Sequence, residues 1–253
     1  MGNAVTIRNL TIGEGLPKIC IPLTDTSKVD LIRSAKALSD SVFDFVEWRA
    51  DFFEELYDPT ALKDTLKALR NELGDVPVLF TIRTKEEGGQ ADISTEDYRK
   101  INRFVIESGL ADLVDVELMK GDEIMATLVD AAKHSATSVR IVGSRHDFEK
   151  TPKESEIVES LCRMQSLGAD LAKFAVMPTC EQDVLTLLSA TLTMKEQHPN
   201  TPVITMSMGR LGVLSRICGT LTGSAVTFGT AGRASAPGQL PADILKNFLE
   251  NLS

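Results

Sequence analysis

Residues 171–178 read LAKFAVMP, an apolar run that contains one charged side chain, Lys173. The length and composition of the run are typical of a buried β-strand. A lysine is rarely buried unless it is paired or used. Burial removes the hydration of an ammonium, and a neutral amine in a dry pocket is a nucleophile that condenses with ketones and aldehydes. The run therefore predicts a strand that carries a candidate imine-forming lysine.

A second apolar run, 139–144, lies upstream and leads into RHDF at residues 145–148. If the two runs form neighbouring parallel strands, their backbones lie about 4.8 Å apart. His146 then comes within reach of whatever Lys173 binds. The pair suggests an imine-forming enzyme with a histidine proton shuttle. The alternative is a snorkelling lysine and a loop histidine, since perturbed groups are often structural.

Similar apolar runs recur along the chain and alternate with segments of helical period. We predict strands at 18–23, 43–51, 77–83, 113–118, 139–146, 171–178, 202–208 and 224–230, preceded by a short hairpin at 5–15. Eight βα units predict an α/β fold, a (β/α)8 TIM barrel with an N-terminal β-hairpin, as a single domain over 1–253. The alternative is a doubly wound open sheet, which usually has a glycine-rich turn after its first strand, and none follows Leu23.

Helix signals support the alternation. Residues 151–154 (TPKE) combine a capping box with proline at the first helical position. Ile157, Leu161 and Met164 then recur at helical spacing. Right-handed crossovers would bring the C-terminal ends of all strands to one mouth, where active sites of this fold lie. The residues at the strand ends therefore matter most for function.

Composition narrows the partners. The 253 residues carry a net charge of −9, which argues against nucleic acid or an anionic membrane. The four cysteines are scattered and the three histidines form no metal-binding pattern, so we expect no metal site and reduced thiols. The sequence has neither a signal peptide nor a bilayer-spanning run, so we expect a cytoplasmic protein.

Charged residues collect at the predicted strand ends. Glu47, Arg49 and Asp51 share one strand face, and Asp115 shares another with Glu117. They suggest a polar barrel mouth, and the alternative is a set of inward ion pairs that hold the barrel together.

The last two strands are followed by further polar candidates. Arg216 is predicted near the start of the helix after the seventh strand, where an arginine can grip a carboxylate bidentately. The stretch 230–241 is rich in small residues, glycine and proline, which is typical of a mobile lid. Ser235 and Gln239 would supply hydrogen bonds when the lid closes.

These motifs occur together in a known family. The sequence resembles the type I 3-dehydroquinate dehydratase family nearly from end to end. The matching motifs are EWRAD at 47–51, Arg83 with EGG at 87–89, SRHDF at 144–148, KFAVMP at 173–178, MSM at 206–208, Ser215 with Arg216, and ASAPGQ at 234–239. Each match alone is weak, but the ordered set on a barrel of this length is specific.

The resemblance implies a shikimate-pathway lyase that removes water from 3-dehydroquinate, a small-molecule substrate, without cofactor or metal. It makes Lys173 the Schiff-base lysine, His146 the general acid/base and Glu87 its assistant. The implied substrate-binding residues are Glu47, Arg49 and Arg83 for the ring hydroxyls, Arg216 for the carboxylate, Ser235 and Gln239 from the lid, and Met208 and Phe228 as apolar walls. Members of the family are often homodimers.

Pro22, Arg145 and the stretch GRL at 209–211 depart from the commoner pattern, and the last leaves Ser215 with Arg216 intact. Pro22 stands where some relatives carry a serine, which removes a side-chain donor. Arg145 replaces an uncharged residue, and strand alternation should turn it away from His146.

Two other functions compete with this one. A class I aldolase would need a phosphate site of backbone N–H groups near the last two strands. The other alternative is a metabolite-binding barrel that has lost catalysis, against which the intact Lys173 argues.

Overall fold

The computed structural model describes residues 4–232 and 235–252. The strands are β1 (Val5–Ile7), β2 (Leu10–Ile12), β3 (Lys18–Leu23), β4 (Phe45–Arg49), β5 (Val78–Thr81), β6 (Leu113–Glu117), β7 (Arg140–Asp147), β8 (Leu171–Val176), β9 (Val203–Ser207), β10 (Val226–Thr230) and β11 (Leu240–Pro241). The α-helices are α1 (Lys28–Ala37), α2 (Pro59–Leu73), α3 (Thr95–Ser108), α4 (Asp122–Lys133), α5 (Glu154–Ser166), α6 (Glu181–Gln197), α7 (Gly219–Thr222) and α8 (Ala242–Asn251). Short 3-10 helices occupy Leu38–Asp40, Ala50–Phe52, Lys85–Glu87, Leu118–Lys120 and Leu211–Arg216.

The strands β3 to β9 pair in chain order, each parallel to the next, and β10 pairs with β3. A parallel bridge between Val203 in β9 and Ser224, just before β10, closes the cylinder. At the same seam the Ala225 N–H donates to Val203 O over 2.8 Å. The predicted (β/α)8 barrel is therefore confirmed, and the open doubly wound sheet is excluded.

The N-terminal hairpin covers the end of the barrel where the strands begin. β1 and β2 are antiparallel, and their buried residues Ile7 and Ile12 pack into the apolar cluster inside the barrel. Arg8, at the turn between them, donates to Asp112, which directly precedes β6, at 2.6 Å. The predicted hairpin is confirmed.

Strand bounds differ from the predicted ones at the C-terminal ends. The predicted strand 43–51 stops at Arg49, because a 3-10 turn begins at Ala50. The predicted strand 113–118 stops at Glu117 for the same reason. These turns redirect the chain towards the outer helices and leave the last strand residues at the rim.

The helix after β7 begins later than its sequence predicted. α5 starts at Glu154, and its N-cap residue, Lys153, makes no side-chain capping bond. Thr151, the expected cap, instead donates through Oγ1 to Met177 O at 3.2 Å. The capping-box prediction is wrong, because this hydroxyl ties the loop after β7 to the chain that follows β8.

Alternate strand residues face two different cores. Outward residues such as Val46 and Trp48 pack against the helices. The inward residues of the lower barrel form a cluster that we call the apolar floor: Cys20, Phe45, Leu79, Leu113, Val142, Leu171, Ile204 and Val226. Two positions further along five of these strands the inward residues are polar and buried, and we call them the polar mouth: Glu47, Thr81, Asp115, Ser144 and Lys173.

Candidate active site

One cavity of about 210 Å³ lies at the C-terminal end of the barrel. All the residues that the sequence predicted for the site line it: Glu47, Arg49, Arg83, Glu87, His146, Lys173, Met208, Arg216, Phe228, Ser235 and Gln239. Sequence reasoning gave no role to several other lining residues, among them Phe148, Ala175 and Met206. The strand ends therefore bring together residues that are up to 192 positions apart in the chain, from Glu47 to Gln239.

Lys173 lies in the middle of β8 and is 4% exposed. Strand alternation turns it into the barrel, while its neighbour Phe174 packs among the outer core residues. Its Nζ lies 3.5 Å from Glu47 Oε1, 3.9 Å from Asp115 Oδ2 and 4.4 Å from the centroid of the Phe228 ring. The amine is thus held between two carboxylates and an aromatic face at the base of the cavity.

Glu47 is the carboxylate closest to this amine. It also accepts a hydrogen bond from Thr81 Oγ1 at 2.9 Å. Burial acts to raise the pKa of Glu47, but the positive charges of Lys173, Arg49 and Arg83 outweigh burial and lower it. Glu47 is therefore an ionised acceptor beside the lysine.

His146, near the end of β7, pairs with Glu87 from the loop after β5. His146 Nδ1 lies 2.8 Å from Glu87 Oε2. Burial first, and then the charges of Arg83 and Lys173, hold the pKa of His146 well below 6.5. Burial and the nearby charge of Glu117 raise the pKa of Glu87 well above its usual value. The ring is therefore neutral at neutral pH, and the pair is a candidate proton carrier.

Arg83 is the centre of a buried ion-pair network. Its Nη1 donates to Glu117 Oε1 at 2.8 Å, to Ser144 Oγ at 3.1 Å and to Glu87 Oε2 at 3.4 Å. Its Nη2 donates to Asp115 Oδ2 at 2.8 Å, and Ser144 Oγ donates to the other oxygen of Asp115 at 2.6 Å. The inward ion pairs that the sequence offered as an alternative thus exist inside the cavity wall.

Arg49 is also fixed by a buried ion pair, on the other side of the loop that follows β5. Its Nε and Nη2 donate to the two oxygens of Asp51, each at 2.8 Å. Asp51 also accepts from the Gln90 N–H at 3.0 Å. Arg49 therefore lines the cavity in an orientation fixed by a bidentate pair.

Arg216 is the exception among the arginines. It ends the 3-10 helix Leu211–Arg216, not the start of an α-helix as the sequence predicted, and it is 2% exposed. Its Nη2 donates to Pro237 O at 3.0 Å, but its Nε and Nη1 have no partner among the described residues. Burial lowers its pKa to about 10. A buried guanidinium with free donors facing a cavity is a site for an anion.

The loop that follows β10 lies against the same cavity. Gln239 Oε1 accepts from the Ser235 N–H at 2.9 Å, and Gln239 Nε2 donates to Ser235 Oγ at 3.0 Å. The Gly209 N–H donates to Pro237 O at 3.1 Å. Residues 233 and 234 of the predicted lid lie outside the described residues, and the mobility of the lid stays a prediction.

The structure shows the surroundings of two residues that depart from the family pattern, Arg145 and Pro22. Arg145 faces outward as predicted, where Nη1 donates to Ser160 Oγ at 2.8 Å and the guanidinium lies 5.2 Å from the Phe174 ring centroid. Pro22 is buried beside Glu47 in the strand register. It offers that neighbour no side-chain donor.

Sequence reasoning placed Asp115 and Glu117 in a polar mouth or in inward ion pairs, but it gave neither of them, nor Ser144, a part in catalysis or substrate binding. Strand alternation had placed Asp115 and Glu117 on one face, and Ser144 lies in the SRHDF motif. Their partners come from strands about 30 to 60 positions away. Periodicity indicates which face a residue occupies, but the partner depends on the strand register.

The described residues contain no group of three or more His, Cys, Asp or Glu side chains that could hold a metal ion. Over the same ranges, none of the helices combines the length and apolar character needed to cross a membrane. The fold and the cavity together define a (β/α)8-barrel protein with a charged site at the C-terminal mouth.

Comparisons with known proteins point to one family. The family model described as type I 3-dehydroquinase matches residues 19–253. Curated 3-dehydroquinate dehydratases from Clostridioides difficile and Klebsiella pneumoniae (strain 342) are 48% and 47% identical to this chain. The alignments cover 100% of the chain and 98% and 100% of those relatives.

Solved structures agree. The type I 3-dehydroquinate dehydratase from Clostridium difficile, described with covalently modified comenic acid, has a TM-score of 0.96 at 48% identity and covers 100% of this chain and 98% of its own. The enzyme from Enterococcus faecalis has a TM-score of 0.92 at 39% identity and covers 98% of this chain and 99% of its own. The chain belongs to the type I 3-dehydroquinase family, and it is therefore an enzyme of the hydro-lyase class.

Proposed function

We propose that this chain converts 3-dehydroquinate to 3-dehydroshikimate through an imine on Lys173. Family membership supports the reaction. The observation that carries the mechanism is the arrangement around one cavity: a buried amine, a neutral histidine bonded to Glu87, and donors of Arg216 that have no partner among the described residues. A ketone that also bears a carboxylate matches this set of groups.

Arg216 selects a substrate that carries a negative charge. The protein carries a net charge of −9, so an anion approaches against the overall field. Nε and Nη1 of Arg216, which have no partner among the described residues, overcome this locally because they offer charged donors to an anion. Binding also returns hydrogen bonds to buried donors that otherwise lack them.

Imine formation is the first chemical stage. A proton passes from the Lys173 ammonium to His146, and the amine attacks the ketone carbon. The same proton then returns to the carbinolamine hydroxyl, which leaves as water, so that a protonated imine remains. Glu47, 3.5 Å from Nζ, stabilises this cation because it stays ionised. The iminium then withdraws electrons from the neighbouring carbon and makes its hydrogen acidic.

Elimination follows at His146. The bond to Glu87 uses Nδ1, so among the described residues Nε2 is the ring nitrogen available to the substrate. Nε2 takes the C2 proton, the electron pair forms an enamine, and the same proton then leaves with the β-hydroxyl as water. Hydrolysis of the conjugated imine consumes the water released in the first stage, so the net reaction loses one water.

The remaining cavity residues bind and orient the substrate. Glu47, Arg49 and Arg83 face the ring hydroxyls, and the fixed pairs of both arginines keep the mouth ordered. Ser235 and Gln239 close over the bound molecule, and Met208 and Phe228 form its apolar walls. The covalently modified comenic acid described for the C. difficile relative is consistent with a covalent route in this family.

The cellular setting belongs to the same proposal. We expect a shikimate-pathway enzyme that acts in the cytoplasm as a homodimer, without cofactor, membrane or nucleic-acid partner. All four cysteines are free, which suits a reducing compartment. Sedimentation analysis would test the dimer, and a monomer at micromolar concentration would contradict it.

The reaction is tested by supplying 3-dehydroquinate and following the absorbance of the conjugated enone product. A matched substrate whose carboxylate is replaced by a neutral carboxamide serves as control. We expect turnover of the acid and at least about tenfold weaker binding of the amide, since a charged partner is lost. No turnover of the acid would contradict the proposed reaction, and equal binding would contradict the role of Arg216.

A further inference from the structure

Glu117 lies at the end of β6 and is fully buried. Both of its oxygens hold the chain just beyond β5: Oε1 accepts from Arg83 Nη1 at 2.8 Å and from the Thr84 N–H at 2.9 Å, and Oε2 accepts from Thr84 Oγ1 at 2.7 Å. One carboxylate thus makes three charged or buried hydrogen bonds to two consecutive residues.

These bonds replace a sheet ladder that has already ended. The pairing of β5 with β6 consists of Leu79 with Leu113 and Phe80 with Val114. Beyond Phe80, the Glu117 side chain takes over the attachment to β6. On the other side, Asp51 holds the same loop through the Gln90 N–H at 3.0 Å.

The backbone of Glu117 is also held in place by a hydrogen bond. Its N–H donates to the hydroxyl oxygen of Tyr98 at 3.0 Å, and that hydroxyl in turn donates to Asp115 O at 3.4 Å. Tyr98 belongs to α3 and is fully buried. The carboxylate therefore projects from a rigid strand end.

The loop transmits this position to the proton-carrying pair over a few residues. Gly89 packs so closely that a Cβ there would lie 2.0 Å from Arg83 O. Gly88 has φ +79°, and a Cβ there would lie 2.3 Å from the Phe148 ring. Between Thr84 and these glycines, Glu87 reaches His146 Nδ1 at 2.8 Å. A shift of Thr84 would therefore move Glu87 relative to the ring.

We propose that Glu117 is a positioning residue, whose carboxylate clamps the start of the β5 loop and thereby sets both the placement and the proton of the Glu87–His146 pair. The inference rests on the proposed function for the role of that pair in proton transfer. Glu117 acts through the loop and through its charge.

The charge has a defined consequence. Together with burial, the negative charge of Glu117 raises the pKa of Glu87. A protonated Glu87 donates to Nδ1 and leaves the ring hydrogen on Nε2. When Glu87 loses this proton, its carboxylate accepts from Nδ1–H, and Nε2 is left with a lone pair that can take the substrate proton. Removing the charge of Glu117 makes this loss easier, so the exchange of tautomers moves to lower pH.

Two variants separate the charge from the reach of the side chain. Glu117→Gln keeps the length and loses the charge, and Glu117→Asp keeps the charge and shortens the side chain by one methylene. Asp92→Asn is the matched control for loss of a loop charge, since Asp92 lies on the same loop but is exposed and pairs with Lys85 at 3.1 Å. The readouts are kcat and ring ¹⁵N NMR of the free protein, which has three histidines to assign.

We expect Glu117→Gln to move the tautomer exchange of His146 to lower pH by about one unit. Glu117→Asp should leave that pH in place and lower kcat by about tenfold to a hundredfold through misplacement of Glu87. Asp92→Asn should match the wild type in both readouts. If Glu117→Asp does not fold, the NMR result for Glu117→Gln decides alone.

Unchanged NMR titration in Glu117→Gln would overturn the charge effect, and wild-type kcat in folded Glu117→Asp would overturn the clamp. The NMR measurement requires no substrate. A shifted titration in a protein that does not dehydrate 3-dehydroquinate would therefore overturn the proposed function and leave the charge effect of Glu117 standing.

Discussion

The apolar floor and the polar mouth lie two residues apart on the same strands, and they do opposite things. Leu113 and Leu171 belong to the floor, and Asp115 and Lys173, the next inward residues, belong to the mouth. Since both layers are buried, exposure does not distinguish them. The difference lies in chemistry: burial of the floor stabilises the fold, while burial of the mouth removes ions from water and must be offset by pairing.

The comparison shows how a barrel can hold reactive groups. A fully buried leucine contributes about 2–3 kcal/mol by leaving water. A buried ion pair contributes little net stability, although removing one partner is costly. The mouth can therefore be kept for its chemistry, because the floor, the hairpin and the outer core supply the stability.

The largest effect is expected for Lys173→Ala. Without the amine no imine forms, and dehydration should fall by about a thousandfold or more, as when a covalent nucleophile is removed. Substrate binding should persist, because Arg216 still lines the cavity and can hold the carboxylate. Steady-state kinetics and equilibrium binding measure the two effects, and near-normal turnover would contradict the imine route.

The next largest effect is expected for Arg216→Ala, on substrate binding. The substrate carboxylate then lacks its partner, and binding should weaken by about 2–5 kcal/mol, which appears mainly in KM. Because Nη2 also holds Pro237 O at 3.0 Å, the loop against the cavity should loosen as well. An unchanged KM would refute the carboxylate role.

Leu79→Ala tests the other side of the comparison. Leu79 belongs to the floor and is 1% exposed, so the truncation should cost about 2–5 kcal/mol of unfolding free energy. Below the melting transition, kcat and its pH dependence should stay close to wild type. Denaturant unfolding gives the first quantity, and a catalytic loss as large as that of Lys173→Ala would abolish the distinction between floor and mouth.

The smallest effect is expected in the pH dependence of kcat/KM. A general base must be neutral, and burial with nearby cations holds the pKa of His146 well below 6.5. Uptake of a proton by the Glu87–His146 pair as pH falls should therefore lower kcat/KM, because a proton on Glu87 or on the ring leaves Nε2 without a lone pair. Arg145→Gln is the control, since Arg145 faces Ser160 outside the barrel and should leave the midpoint unchanged. A flat acidic limb would argue against His146 as the base.

The sequence predicted the barrel well because period-2 alternation and apolar runs depend on the burial of each strand and not on which distant residues it contacts. The eight strands start within two residues of their predicted positions. The errors occur where a tertiary contact overrides a local signal, as at Thr151, whose hydroxyl bonds to Met177 O instead of capping a helix. Similarly, Arg216 ends a 3-10 helix that its sequence did not indicate.

The candidate site divides in the same way. Residues at strand ends were predictable as a set, because parallel strands bring their C-terminal ends together. The network around Arg83 was not, because its partners Asp115 and Ser144 come from two further strands whose register fixes the contacts. The loop bonds of Glu117 are long-range for the same reason.

The central claim is that Lys173 forms an imine with the ketone. The direct measurement is intact-mass spectrometry, followed by peptide mapping, after mixing the protein with 3-dehydroquinate and borohydride. The account predicts a reduced adduct derived from substrate or product on Lys173, and none in Lys173→Ala. No adduct in folded, active wild-type protein, or an adduct on a different lysine, would contradict it.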